Sequence, residues 1–284
     1  MTRIAVVGAG GMLGTDLMHA LSSHDATGFT RAELDITDGA AAVDVLTGFD
    51  VIINASAYTR VDDAETDEEN AHLVNAVGPH NLALAAARHE SRLVQLSTDY
   101  VFDGTATAPY AEDAPRHPVS AYGRTKAAGE VLALEHNPGR TAIVRTAWLY
   151  GKNGGNFPRT MLTLAANRDT LDVVNDQRGQ PTWTGDLAAQ LVALVDAGTP
   201  AGIFHGTNSG EATWFDLAQA VFVVAGLDPD RVKPTDSTAF QRPAPRPSYS
   251  VLGHHAWSDA GIEPMREWKQ ALQAAFESGA LTAE

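Results

Sequence analysis

The chain has no cysteine among its 284 residues. This excludes disulfide scaffolding, thiol nucleophiles and cysteine-ligated zinc or iron–sulfur sites, and it fits a cytoplasmic location. No apolar run approaches the ~20 residues that a membrane-crossing helix needs. The apolar N-terminus is broken by glycines and by Asp16, unlike a secretory leader. Basic residues are scarce: 20 Lys and Arg against 35 Asp and Glu leave a formal charge of −15. Such a surface repels a nucleic-acid backbone or an anionic membrane, so neither is expected as a partner. Repeats and low-complexity tails are also missing. What remains is an ordinary globular composition, 44% hydrophobic and 19% charged. The length suits about two domains, or one core with a smaller lobe.

Short apolar runs alternate with helical patterns through residues 1–150. Ile4 to Val7 is continuous and β-branched, as a strand buried on both faces should be. Ala26 to Phe29, Asp50 to Ile53, Arg92 to Leu96 and Thr141 to Arg145 read as further strands. Between them lie helical patterns at Met12–Leu21, from Thr66 to about Arg88, and from Ser120 to Glu135. The spacing of Thr66 and Glu69 predicts a capping box. Strand–helix alternation with short connections predicts an α/β fold, a Rossmann-type doubly wound parallel sheet. Residues 151–284 are less regular and read as a smaller, interleaved C-terminal substrate lobe. Within it, the short strands Leu171–Val174 and Ile203–His205 are expected to return to the main sheet. A helix over Trp214–Ala225 is expected to be capped by Thr213, and Arg242–Pro247, with three prolines, to be extended.

Gly8, Gly11 and Gly14 form a G-x-x-G-x-x-G run between the first strand and the first helix. Glycine there permits a tight turn, close approach to a pyrophosphate and close helix–strand packing. The helix N-terminus adds unpaired N–H groups and a positive dipole end. The second strand ends in Gly28-Phe29-Thr30-Arg31, without the carboxylate that binds the ribose 2′-hydroxyl of NAD. The Thr30 hydroxyl and Arg31 guanidinium suit a 2′-phosphate, which favours NADPH and leaves NADH possible.

Tyr122 and Lys126 stand four residues apart on the Ser120–Glu135 helix, on one face, with β-carbons ~6 Å apart. A free phenol, with a pKa of ~10, is a weak proton donor near neutrality. An ammonium ~6 Å away, at an effective dielectric of ~20, would stabilise the phenolate by about 2.8 kcal/mol, or roughly two pKa units. Thr98 follows the fourth strand, at the carboxyl edge where such sheets bind ligands, and its hydroxyl would hold a carbonyl oxygen beside the tyrosine.

The glycine turn, the strand-end threonine and Tyr-x-x-x-Lys together resemble the extended short-chain dehydrogenase/reductase family. The finer likeness is to its reductases of dTDP-linked 4-keto sugars. It is carried by the segments Asn54–Asp62, Ser97–Gly104, Arg145–Gly151, Asn175–Thr182 and Arg246–Ser250. The resemblance implies cofactor contacts at Gly11, Met12, Leu13, Asp35, Ile36, Ala57, Tyr58 and Thr59. It implies a catalytic set of Thr98, Tyr122 and Lys126, the last two also touching the cofactor. Thr98, Asp99, Tyr100 and Trp148 would contact a dTDP-sugar, and Arg246 would face its pyrophosphate. Sibling dehydratases resemble Thr-Asp-Glu at this strand end; here Tyr100 replaces the glutamate, so net elimination is not expected. Some relatives bind magnesium through carboxylates at a dimer interface. Asp16 and Asp186 lie near the corresponding places, but the carboxylate pattern is incomplete, so magnesium is doubtful and no metal ligand is assigned. The chain is expected to act as a monomer or homodimer. A sister ketoreductase acting on another 4-keto deoxysugar nucleotide, and a non-catalytic regulatory subunit of the same fold, are the alternatives.

Overall fold

The computed structural model describes residues 2–281. Its strands are β1 (Arg3–Val7), β2 (Asp25–Phe29), β3 (Val51–Asn54), β4 (Arg92–Thr98), β5 (Thr141–Thr146), β6 (Leu149–Tyr150), β7 (Leu171–Val174), β8 (Arg178–Gly179), β9 (Thr182–Trp183), β10 (Gly202–His205), β11 (Ala212–Thr213) and β12 (Val232–Thr235). The α-helices are α1 (Met12–Ala20), α2 (Gly39–Val45), α3 (Glu68–His72), α4 (Gly78–Arg88), α5 (Ala121–His136), α6 (Phe157–Ala165), α7 (Thr184–Asp196), α8 (Trp214–Val224), α9 (His255–Asp259) and α10 (Trp268–Glu277).

Six strands form one parallel sheet in the order β10-β5-β4-β3-β1-β2. The strand cores alternate between two hydrophobic layers. Ile4, Val6, Ile53, Val94 and Val144 face Leu13, Leu17, Leu187 and Leu191 of α1 and α7. Ala5, Val7, Ile52, Leu93 and Ile143 face Ala42, Leu82, Ala86 and Ala133 of α2, α4 and α5. Burial on both faces explains why these strands are almost wholly apolar. The strand order reverses between β1 and β3, and the carboxyl ends there open the crevice where such folds take ligands.

The chain after Tyr150 builds a separate core from Met161, Leu162, Leu217, Phe222, Trp268 and Leu272. β10 joins the main sheet beside β5. β7 does not: it pairs in parallel with β12 in a two-stranded sheet of the lobe, which corrects the expectation that Leu171–Val174 returns to the main sheet. Packing explains the choice, since Leu171 and Val173 bury their side chains with Val221, Phe222 and Val232 of the lobe.

The helix expected from Thr66 to Arg88 is also interrupted. Thr66 donates its hydroxyl to the Asp63 carbonyl rather than capping a helix. α3 starts two residues later, Leu73–Val77 widens into a π turn, and α4 follows. Pro79 has no N–H to return to the Asn75 carbonyl, so a regular α ladder cannot run through this point. At α8, Thr213 makes the expected cap, reciprocated by Asp216.

Candidate active site

Gly8 ends β1 with φ at +85°. A side-chain carbon there would stand 2.7 Å from the Ser56 amide, and one on Gly14 would stand 2.1 Å from the Gly8 carbonyl. Both positions therefore require glycine for space, and Gly8 also for its positive φ. Gly11 is the N-cap of α1 and brings no side-chain cap, so the first-turn N–H groups of Met12, Leu13 and Gly14 form a backbone cradle suited to a dinucleotide phosphate. Leu13 packs its side chain in the core, which leaves its amide as the group it can offer.

The end of β2 holds a carboxylate that sequence reading missed. The Thr30 amide and hydroxyl both donate to Glu33 Oε2 at 2.8 Å, and these bonds hold the Glu33 carboxyl below the usual range. Thr30's proton is thus committed to Glu33. Arg31 is 84% exposed and 3.8 Å from Asp35. Asp35 also accepts from the amide and hydroxyl of Thr37. Ile36 is buried in the core, its carbonyl bonded to Asn81. Of the four residues expected here, Arg31 keeps the most accessible charge.

At the end of β3, Asn75 clamps the Ala57-Tyr58-Thr59 segment. It accepts from the Tyr58 amide at 2.9 Å and donates to the Tyr58 carbonyl at 3.0 Å and to the Thr125 hydroxyl at 3.2 Å. Thr125 in turn donates to the Tyr122 carbonyl. Asn75 thus ties the cofactor-side loop to α5, and its place in the π turn was not readable from apolar spacing.

α5 is started by Ser120, which accepts from the Gly123 amide, and by Glu65, which accepts from the Ala121 amide. Gly123 lies so close to β4's end that a side-chain carbon would stand 2.2 Å from the Tyr100 carbonyl. This packing brings the Tyr122 phenol beside Thr98. The Thr98 hydroxyl donates to Asp99 Oδ1 at 3.0 Å. Lys126 is buried, and its Nζ donates to the Leu96 carbonyl at 2.7 Å. Thr98, Tyr122 and Lys126 therefore converge at one strand end.

The electrostatics differ from the sequence-based expectation. Burial pushes the Tyr122 phenol up to about 12, the neighbouring Thr98 side chain opposes this, and the Asp99 charge adds to it. The expected acidification by an ammonium is absent, because Lys126, with its own pKa near 8, is already neutral where the phenol titrates. Burial brings Lys126 down to about 8, with Glu130 holding it up. Asp99 is raised to about 6 by burial, opposed by hydrogen bonds from Ser250 and Thr98.

On the lobe side, Trp148 adopts a left-handed backbone, φ +46°, an uncommon conformation for a large side chain. Its indole stacks on Trp214 at 3.5 Å and lies over Gly179, where a side-chain carbon would come within 2.7 Å. Tyr100 sits edge-on to Tyr122 with ring centroids 5.7 Å apart. Arg246 is not free: it holds both oxygens of Asp62 and bonds the Ala244 carbonyl, and its charge acts on Tyr100. Arg242 lies 3.9 Å from the same carboxylate, so two guanidinium groups share one negative charge.

Asp16 accepts from the Thr184 hydroxyl, and Asp186 is held by Arg266 and Asn208. Arg266 supplies the positive charge that a cation would bring to Asp186, so this pair does not fit a metal. Among the described residues, no group of three or more His, Asp or Glu side chains could hold a metal ion, and no helix is long and apolar enough to cross a membrane.

The phosphate cradle at a sheet switch point, with a threonine, a tyrosine and a lysine beside it, defines a nucleotide-dependent α/β oxidoreductase architecture. The chain belongs to the RmlD substrate binding domain family, which it matches over residues 1–280. It is 50% identical over 282 residues to a dTDP-4-dehydrorhamnose reductase of Streptomyces griseus, covering 96% of this chain and 93% of the relative. It is 50% identical over 278 residues to a dTDP-4-keto-6-deoxy-D-glucose reductase of Streptomyces niveus, covering 96% of each. The fold is similar to that of dTDP-4-dehydrorhamnose reductase from Bacillus anthracis in complex with NADP, with TM-score 0.93, 35% identity, and 98% of this chain and all of the other covered.

Proposed function

We propose that this protein reduces the C4 ketone of dTDP-4-dehydro-β-L-rhamnose to dTDP-L-rhamnose with NADPH, NADH being a possible substitute. The observation that carries the reading is the convergence of Thr98, Tyr122 and Lys126 at the end of β4. When bound, the dinucleotide supplies a hydride to the carbonyl carbon. The first turn of α1 and Arg31 hold its phosphates, and Ala57, Tyr58 and Thr59 line it after β3. Thr98 orients the carbonyl oxygen, and Tyr122 delivers its phenolic proton to that oxygen as negative charge develops.

A phenol near 12 still serves this direction of reaction. An alkoxide is about as basic as hydroxide, whose conjugate acid has a pKa of ~15.7, so proton transfer from Tyr122 runs downhill. Lys126, charged below about 8, holds the nicotinamide ribose in this reading and restores the phenol's proton. Trp148 and its Trp214 support form a flat aromatic wall for the sugar nucleotide. The arginine pair around Asp62 carries a local net positive charge toward its diphosphate, against the overall −15.

A second substrate reading is favoured by one observation: the Streptomyces niveus relative, named for a different 4-keto sugar, is as similar as the Streptomyces griseus one. A panel of dTDP-4-keto-deoxysugars, each assayed with NADPH and NADH, tests both. The rhamnose precursor is expected to be reduced fastest. Faster turnover of another 4-keto sugar would move the assignment to the sister activity, and no turnover of any would favour the non-catalytic alternative.

A further inference from the structure

Behind the reacting groups lies a buried carboxylate that the mechanism above does not use. Glu130 follows Lys126 by four residues on α5 and is almost wholly inaccessible. Four donors converge on its two oxygens: Ser97 Oγ at 2.6 Å and Arg145 Nε at 2.9 Å on Oε1, Arg145 Nη2 at 2.8 Å and Arg116 Nε at 2.6 Å on Oε2. Each donor belongs to a segment that carries part of the site. Ser97 immediately precedes Thr98, Arg145 stands three residues before Trp148, and Arg116 lies on the loop entering α5. Arg145 Nη1 reaches on to the Glu112 carbonyl at 3.1 Å and lies 3.3 Å from His205 Nε2.

A buried ion pair is weak evidence for stability, because desolvation consumes much of the Coulomb gain. Its placement says more. One carboxylate joins strand, helix and loop at the level where Thr98 must meet Tyr122, and it lies one helical turn from a buried ammonium whose charge it favours. We propose that Glu130 is a positioning residue for the reduction, holding Lys126 in its charged form and fixing Thr98 against the tyrosine helix. This rests on the proposed catalytic set and extends it inward.

The charged group acting on Lys126 is Glu130, one turn along its own helix. Around Glu130 stand Arg145 from β5 and Arg116 from the loop before α5, and Asp99, after β4, acts on Tyr122. His205 on β10 is kept neutral, its pKa down at about 3 through burial and the Arg145 guanidinium. Removing the negative charge and removing one of the positive charges should therefore move Lys126 in opposite directions, which a purely structural role would not do.

The chain has four lysines, Lys126, Lys152, Lys233 and Lys269, so the titration of each side chain can be followed by lysine-selective carbon NMR on the full-length protein. In Glu130→Gln, the Lys126 titration is expected to fall by about one pH unit, and the alkaline limb of kcat to fall with it, while the KM for NADPH stays within about twofold. In Arg116→Gln, at a half-buried position, both are expected to rise. If Glu130→Gln does not fold, the Arg116→Gln arm decides alone. An unmoved Lys126 titration in either folded variant overturns the proposal. Because the NMR readout needs no turnover, a wild-type protein that reduced no keto sugar would refute the proposed function without touching this result.

Discussion

Lys126→Met is expected to remove catalysis while making the fold no less stable at neutral pH. Burial lowers the Lys126 pKa from 10.5 to about 8, so the unfolded chain binds the proton more tightly than the folded one. The sign follows directly: between these values the unfolded state holds more protons, and stability rises with pH across that window. Below about pH 8 the charged lysine costs the native state the full difference, on the order of 3 kcal/mol. The methionine variant escapes this cost but leaves the Leu96 carbonyl without its 2.7 Å donor, a loss of about 1–3 kcal/mol. At pH 7 the two terms nearly cancel, with any net difference favouring the variant. Near pH 10.5 and above only the loss remains, so wild type should then be the more stable by about 1–3 kcal/mol. Denaturant titrations of both proteins from pH 6 to 10.5 measure the crossing, since other ionisations cancel in the difference. A stability difference that is large, favours wild type at pH 7 and does not change with pH would refute the reasoning.

Other outcomes follow from the same geometry. Arg31→Ala should lower kcat/KM for NADPH roughly tenfold with little change for NADH, and Glu33→Gln, by removing the carboxylate beside Thr30, should shift preference further toward NADPH; steady-state kinetics with both cofactors checks each. Gly179→Ala should displace the Trp148 indole, whose atoms lie 2.7–2.9 Å from the added carbon, and raise the KM for the sugar nucleotide with NADPH binding unchanged by fluorescence titration. Asp62→Asn should loosen Arg246 and Arg242, and the resulting gain in free positive charge should make substrate KM more sensitive to added salt.

The elements that sequence reading placed are those whose evidence is local. Ile4–Val7 and Thr141–Arg145 announce themselves by continuous β-branched runs, and Gly8 and Gly14 by positions where no side chain fits. Tyr122 and Lys126 share a helix face because four residues make about one turn. What escaped depends on distant partners. β7 is apolar enough for either sheet, and only β12, far along the chain, settles its pairing. Asp62 meets Arg246 across 184 positions, and Glu130 meets Ser97 from 33 positions away. Glu33 was within local reach, three residues after Thr30, where its side chain turns back to the Thr30 amide. The phenol teaches a different lesson: spacing put a lysine near it, whereas burial raises the phenol and lowers the lysine, which is neutral by the time the phenol titrates.

The most direct test is single-turnover reduction of dTDP-4-dehydro-β-L-rhamnose by Tyr122→Phe, followed by loss of NADPH absorbance, with cofactor binding measured in parallel. The phenylalanine keeps the ring and its contact with Tyr100 but has no proton to give. The expected result is unchanged cofactor affinity with the rate lowered by about 10²–10⁴-fold. A variant that binds the cofactor and turns over at the wild-type rate would contradict the assignment of Tyr122 as the proton donor.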